Sequence, residues 1–126
     1  MFKVTIISVG SLKEVHWQQA ASEYIKRLEP YAKVKLVEVD QEPIKKVTDR
    51  QKILEKEGER IKKHIPDGAI ILALDRAGAQ MTSPEWAEKL EQWSKFGNEI
   101  VFIIGGPLGL LPELLRRANQ LVSFSK

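Results

Sequence analysis

Two adjacent glycines, a proline and a third glycine fall within five residues at Gly105-Gly106-Pro107-Leu108-Gly109, directly after the apolar run Ile100 to Ile104. Residues without a Cβ at a strand end let main-chain N–H and C=O groups come close to a ligand. In open parallel sheets, ligands bind outside the carboxyl ends of the strands. The turn matches neither G-x-G-x-x-G nor G-x-x-x-x-G-K-[ST], which counts against pyrophosphate binding. Three further strand ends share its position along the pattern: Gly10 to Lys13, Leu74 to Gly78, and Ser123 to Lys126. At the second of these, Asp75 can contact a ligand hydroxyl or amine, or can cap its own turn.

Other constellations are thin. The chain has no cysteine, so disulfides, thiolate ligands and thiol nucleophiles are excluded together. His16 and His64 fall on separate helical patterns and make no metal site, so no metal is expected. Ser11, Ser123 and Ser125 have no histidine placed as a base, which leaves serine-hydrolase chemistry without support. No side chain identifies itself as a catalytic acid or base. Trp17, Trp86 and Trp93 lie on helical patterns and read as core or interface anchors. Net charge is +3, but eight basic residues stand against four acidic ones between Lys45 and Lys63. Such a stretch is either a solvated face laced with charge pairs or a surface that meets phosphates.

The elements that must position these groups alternate between strand and helix. Val4 to Val9 is a buried strand closed by Gly10, and Glu14 to Leu28 carries apolar residues at helical spacing up to Pro30. Val34 to Val39 partly alternates, as a strand with one wetter face does. Thr48 with Gln51 three residues on resembles a capping box, opening a helix through Ile53, Leu54, Ile61 and His64. Gly58 inside it implies a closely packed neighbour or a bend. Ala69 to Leu74 is a second buried strand, with a turn expected at Asp75 to Gly78. Ser83-Pro84-Glu85 starts a helix that ends near Gly97. After the Ile100 to Ile104 strand, Pro112 opens a short helix to Asn119, and Leu121 to Phe124 is a last strand. Non-alternating strands separated by helices predict an α/β fold: a five-stranded, mainly parallel sheet with helices on both faces. The 126 residues suit one domain, spanning 1–126. The N-terminus reads as mature structure rather than a signal peptide, there is no run long enough to span a membrane, and the expected compartment is the cytoplasm.

An ordered set of residues carries a resemblance over essentially the whole chain. It comprises Gly10 and Lys13, Glu23-Tyr24-Ile25-Lys26-Arg27-Leu28, Glu57-Gly58, Leu74-Asp75, Gly78, Thr82-Ser83 and Ala87. Its most specific parts are Ile103-Ile104-Gly105-Gly106-Pro107-Leu108-Gly109 and Leu121-Val122-Ser123-Phe124-Ser125-Lys126. Together these resemble the SPOUT-class methyltransferases that modify N3 of a pseudouridine in bacterial 23S ribosomal RNA. The resemblance implies an α/β-knot fold, a homodimer, S-adenosylmethionine as methyl donor, and the large ribosomal subunit or 70S ribosome as partner. It also implies a cofactor gripped mostly by backbone at Leu74, Gly105, Gly106, Phe124, Ser125 and Lys126. On the RNA side the candidates are Lys13, Lys45, Lys46, Lys62 and Lys63. In that family the last strand runs on into a loop and a long helix that complete the knot and the cofactor pocket. This sequence stops at Lys126, so the expectation is a chain lacking the knot helix that binds cofactor weakly or not at all. The competing expectation is a non-catalytic, truncated or unknotted α/β module.

Overall fold

Apolar residues at 70–74 and 100–104 leave no wet face, and the structure buries both faces of the sheet there. It is a computed structural model describing residues 2–10, 23, 26, 29–30, 32–46, 49–79, 83–95, 99–106 and 108–122. Its elements are β1 (Phe2–Val9), β2 (Ala32–Val39), α1 (Arg50–Lys62), β3 (Ile70–Ala79), α2 (Ser83–Ser94), β4 (Ile100–Ile104), α3 (Pro112–Arg117) and β5 (Gln120–Val122). The five strands form one sheet in the order β2-β1-β4-β3-β5, and all their pairings are parallel. The α/β class and the five-stranded parallel sheet expected from the sequence are thus present.

Strand periodicity divides the core in two. Val4, Ile6, Leu72, Leu74, Ile100, Phe102 and Ile104 point to one face, where Trp93 of α2 packs. Ile7, Val9, Ile71, Ala73, Val101 and Ile103 point to the other, beneath Leu54 and Ile61 of α1 and Leu114 of α3. Residues i and i+2 share a face, so β1, β3 and β4 contribute to both layers, and β4 is buried at all its positions. The edge strand β2 pairs only with β1 and shows the partial alternation expected of it.

Several boundaries differ from the sequence reading. β2 begins at Ala32 rather than Val34, because Ala32 is itself buried and pairs with Phe2. β3 does not end at Leu74. It continues to Ala79 through a register irregularity in which both Leu74 and Ala79 pair with Val122. The glycine at 78, taken as part of a turn, instead lies in an irregular strand, a common place for glycine. Thr48 lies outside the described residues. The N-cap of α1 is Asp49, without a side-chain cap bond, and Gln51 donates instead to Glu55 Oε1 at 3.1 Å. α1 ends at Lys62, short of His64, and closes with tight bonds from His64 N–H to Ile61 C=O and Ile65 N–H to Lys62 C=O. Arg60 and Lys62 in that last turn complement the helix dipole.

α3 stops at Arg117 because Asn119 already belongs to the ladder. Its N–H donates to Ile71 C=O, and its Oδ1 accepts from Ile71 N–H, both at 2.8 Å. β5 follows at Gln120, one residue earlier than expected. The expected strand continuation at Ser123 and Phe124, and nearly all of the expected Glu14–Leu28 helix, lie outside the described residues.

Candidate functional site at the β1/β4 crevice

β4 delivers its apolar run directly into the glycine turn. A Cβ on Gly105 would lie 2.5 Å from Gly109 O and 2.7 Å from Gly109 C, so the return of the chain requires glycine there. Gly109 N–H donates to Gly106 C=O at 3.0 Å, closing the turn. Buried Leu110 and Leu111 then carry the chain to α3. Arg50 at the start of α1 donates to Leu108 C=O at 3.4 Å. A Cβ on Gly58 would lie 2.9 Å from Leu111 Cδ2, so α1 lies hard against the segment after the turn. Of the two explanations for a mid-helix glycine, close packing is the one realised.

Strand order makes this turn one wall of a crevice. The chain leaving β1 goes to β2 on one side, whereas the chain leaving β4 goes to β5 on the other. Neighbouring parallel strands whose connections diverge leave a cleft between their carboxyl ends. Val9 closes the bottom, with Cγ1 3.2 Å from where a Cβ on Gly106 would be. The buried Ser8 hydroxyl donates to Gly10 C=O at 3.1 Å, holding the end of β1.

Beneath the crevice lies a carboxylate. Glu57 of α1 is only 3% exposed, and both its oxygens are 3.8 Å from the Cβ position of Gly106. Its Oε2 accepts from Glu42 N–H at 3.0 Å. Among the described residues no donor reaches Oε1. Burial pushes this acid above the ordinary glutamate range, opposed by the Glu42 amide and the Arg60 charge. The segment after β2 is clasped a second time by Arg60, which donates to Asp40 C=O at 2.9 Å and bonds Glu42 Oε1. The Arg60 guanidinium holds the Glu42 carboxyl below its usual value, aided by Lys56 at 3.8 Å. The resemblance includes Glu57-Gly58 but gives Glu57 no role, and reading for familiar motifs singles out neither Glu42 nor Arg60. The available signal was periodicity: Glu57 interrupts the buried stripe Ile53, Leu54, Glu57, Ile61.

The residues singled out from sequence fall into three groups. Leu74 is buried on β3 and pairs with Val122 of β5. Gly105 and Gly106 stand half-exposed at the end of the adjoining β4. The order β4-β3-β5 therefore sets Leu74 between the glycine turn and the strand that leads toward Phe124. Phe124, Ser125, Lys126 and Lys13 lie outside the described residues, as do the side chains of Asp75 and Arg76. Lys45 and Lys46 are exposed on the segment between β2 and α1, close in sequence to the clasped Glu42, and Lys63 is exposed just past α1. Lys62 is engaged by Glu113 at 3.1 Å and Glu59 at 3.5 Å, and the Glu113 bond raises its pKa. The basic stretch therefore splits. Arg50, Lys56, Arg60 and Lys62 bind groups of the chain itself, while Lys45, Lys46, Lys52 and Lys63 are exposed and make no salt bridge among the described residues, Lys45 acting on the Glu42 carboxylate only through its charge.

The family described as "Predicted SPOUT methyltransferase" matches residues 2–126. A protein of Bifidobacterium animalis subsp. lactis named "Ribosomal RNA large subunit methyltransferase H" is 46% identical over 127 residues, covering 98% of this chain and 80% of that protein. Proteins of the same name from Caldicellulosiruptor saccharolyticus and Bacillus cytotoxicus are 42% and 40% identical, with the same coverage.

Proposed function

Because the chain belongs to the SPOUT methyltransferase family, we propose that it is a cytoplasmic enzyme transferring a methyl group from S-adenosylmethionine to N3 of a pseudouridine in 23S ribosomal RNA. The observation that carries the reading is the Gly105–Gly109 turn at the end of β4, beside Leu74 on β3. The residues present fit such a cofactor. Gly105 and Gly106 are half-exposed, and a Cβ on Gly109 would meet nothing within 4 Å. Main-chain groups there are approachable by an adenosine without side chains in the way. Leu74, Gly105, Gly106, Phe124, Ser125 and Lys126 would hold it, and when bound it supplies an electrophilic methyl group on a sulfonium.

The work of this chain is then positioning. Transfer would form the N3–CH3 bond as the S–CH3 bond breaks to a neutral thioether and the N3 proton leaves, so alignment and exclusion of water outweigh a strong acid. Exposed Lys45, Lys46 and Lys63, together with Lys13, would meet RNA phosphates. Lys62 would contribute less, because Glu113 already engages it.

Incubation of the protein with tritiated S-adenosylmethionine and, separately, 70S ribosomes, 50S subunits and free 23S RNA lacking the modification tests the reading. Label in 23S RNA from at least one of these, mapping to N3 of a pseudouridine, is expected. Cofactor binding by calorimetry without transfer to any of the three would overturn the substrate assignment. Micromolar cofactor affinity would overturn the expectation of weak binding stated from the sequence, and no binding even at high cofactor concentration would overturn the assignment of the turn.

A further inference from the structure

Glu57 occupies a position where stability alone favours another residue. It falls on the apolar stripe of α1, between Leu54 and Ile61, both buried. A methionine there would fill similar space without desolvating a carboxyl group. The glutamate instead leaves one oxygen without a donor among the described residues, and a buried acceptor in that state is destabilising. Its other oxygen reaches the Glu42 amide, fifteen residues earlier in the chain and beyond the end of β2. The carboxylate also lies near Gly106, just past β4, with both oxygens 3.8 Å from where a Cβ would stand. One side chain thus binds the segment after β2, which passes beside the end of β1 with Gln41 Oε1 3.2 Å from the Cβ position of Gly10, and lies close to the turn after β4, so the two are the rims it links.

The helix that carries it is well anchored. Arg50 is bonded to Leu108 C=O, Gly58 lies against Leu111, and Lys62 pairs with Glu113, so α1 follows the chain from the glycine turn to α3. On its other side Arg60 bonds Asp40 C=O and the Glu42 carboxylate. The charged groups facing Glu57 are Glu42 and Arg60. On the side of the glycine turn, the residue its oxygens approach is Gly106.

We propose that Glu57 is a positioning residue for the crevice: fixed on α1, it ties the segment after β2 through the Glu42 amide and buttresses Gly106, so that both rims are set before a ligand binds. This rests on the methyltransferase reading for its bearing on turnover, but the geometry itself can be tested without any substrate.

The decisive comparison is Glu57→Met and Glu57→Gln against the unsubstituted protein, using amide hydrogen exchange, urea unfolding and steady-state methyl transfer to ribosomes. Glu57→Met keeps the length and volume and removes the acceptor. It should leave the urea midpoint equal or raised, and quicken exchange in segments 40–46 and 105–109 about fivefold to tenfold, the size of one lost hydrogen bond. Exchange in β1 and β4 should stay unchanged. Its kcat should fall by a comparable factor, with KM for ribosomes nearly constant. Glu57→Gln, which keeps an acceptor for the Glu42 amide, should recover most of the protection at 40–46. Unaltered exchange in both segments of Glu57→Met would overturn the proposal. So would a uniform rise across the sheet with a lowered urea midpoint, because that marks a merely structural residue. If the unsubstituted protein transfers no methyl group, the functional reading fails while the exchange comparison still decides the role of Glu57.

Discussion

Gly105 has no room for a methyl group. The atoms a Cβ would strike belong to the backbone of Gly109, which cannot rotate away as a side chain can. Gly105→Ala should therefore open the turn at a cost of about 1–3 kcal/mol, the usual range for overpacking. The measurements are urea unfolding and cofactor titration, and cofactor affinity is expected to fall more than tenfold, about 1.4 kcal/mol. Two carboxyl groups nearby should respond to pH in opposite senses. The pKa of Glu57 is raised in the folded protein, so the native state holds its proton to higher pH than the unfolded chain. Its contribution therefore lowers stability as pH rises through the interval just above the ordinary glutamate value. The pKa of Glu42 is depressed, so its contribution is present above that ordinary value and is lost as pH falls through the native one. Urea midpoints measured across this range should lose their decline on the alkaline side in Glu57→Gln. They should lose part of their acid sensitivity in Glu42→Gln.

At the scale of elements, α1 is the bar that joins the two rims, and Gly58 is where it sits closest. Gly58→Ala brings a gain of about 1 kcal/mol in helix propensity, offset by contact with Leu111 Cδ2 at 2.9 Å. The net effect should be small, because a leucine methyl can give way. Gly58→Val cannot be accommodated so, and should cost about 1–3 kcal/mol by overpacking. In the Leu111→Ala background that penalty should shrink, a coupling that a double-mutant cycle reads directly. This contact was half legible in the sequence: a glycine in a helical pattern announced close packing or a bend, without naming the neighbour. The glycine turn was legible for a similar reason, since a cluster of residues lacking Cβ has few other uses. Glu57 entered only as part of the resemblance; its burial was not legible, because a glutamate in a basic, solvated-looking helix shows it only when the apolar stripe is traced through it. The end of β3 was misread for a different reason. Asp75 to Gly78 has turn composition, but pairing with β5 carries the strand past it.

For the molecule as a whole, the sheet was legible because β1, β3 and β4 carry apolar runs with no wet alternation, which only burial on both faces explains. Strand order was not, since nothing local dictates that β4 lies between β1 and β3. That order creates the crevice. It also decides which basic residues remain for a polyanion, by matching α1 with carboxylates of the segments beside it. If Lys45, Lys46 and Lys63 each contact a phosphate, replacing them with alanine should weaken ribosome binding and reduce the salt slope by about one unit per contact. Lys62→Ala should change the slope less, as its ammonium is held by Glu113. Filter binding at several salt concentrations separates the two groups of lysines.

Asn119 gives the fold a register pin. Its amide and side-chain oxygen grip both polar groups of Ile71, one residue before β5 begins, so a strand of only three residues cannot slide. A slip by one position would turn the residues of β5 over to the opposite face of the sheet. The face that each residue of β5 presents thus depends on the grip of Asn119 on Ile71. β5 also joins β3 across 48 residues of chain, so loop closure makes it a late arrival in folding. Asn119→Ala should leave β1 and β4 to form as before and slow the last docking step, visible as delayed protection of the β3 amides.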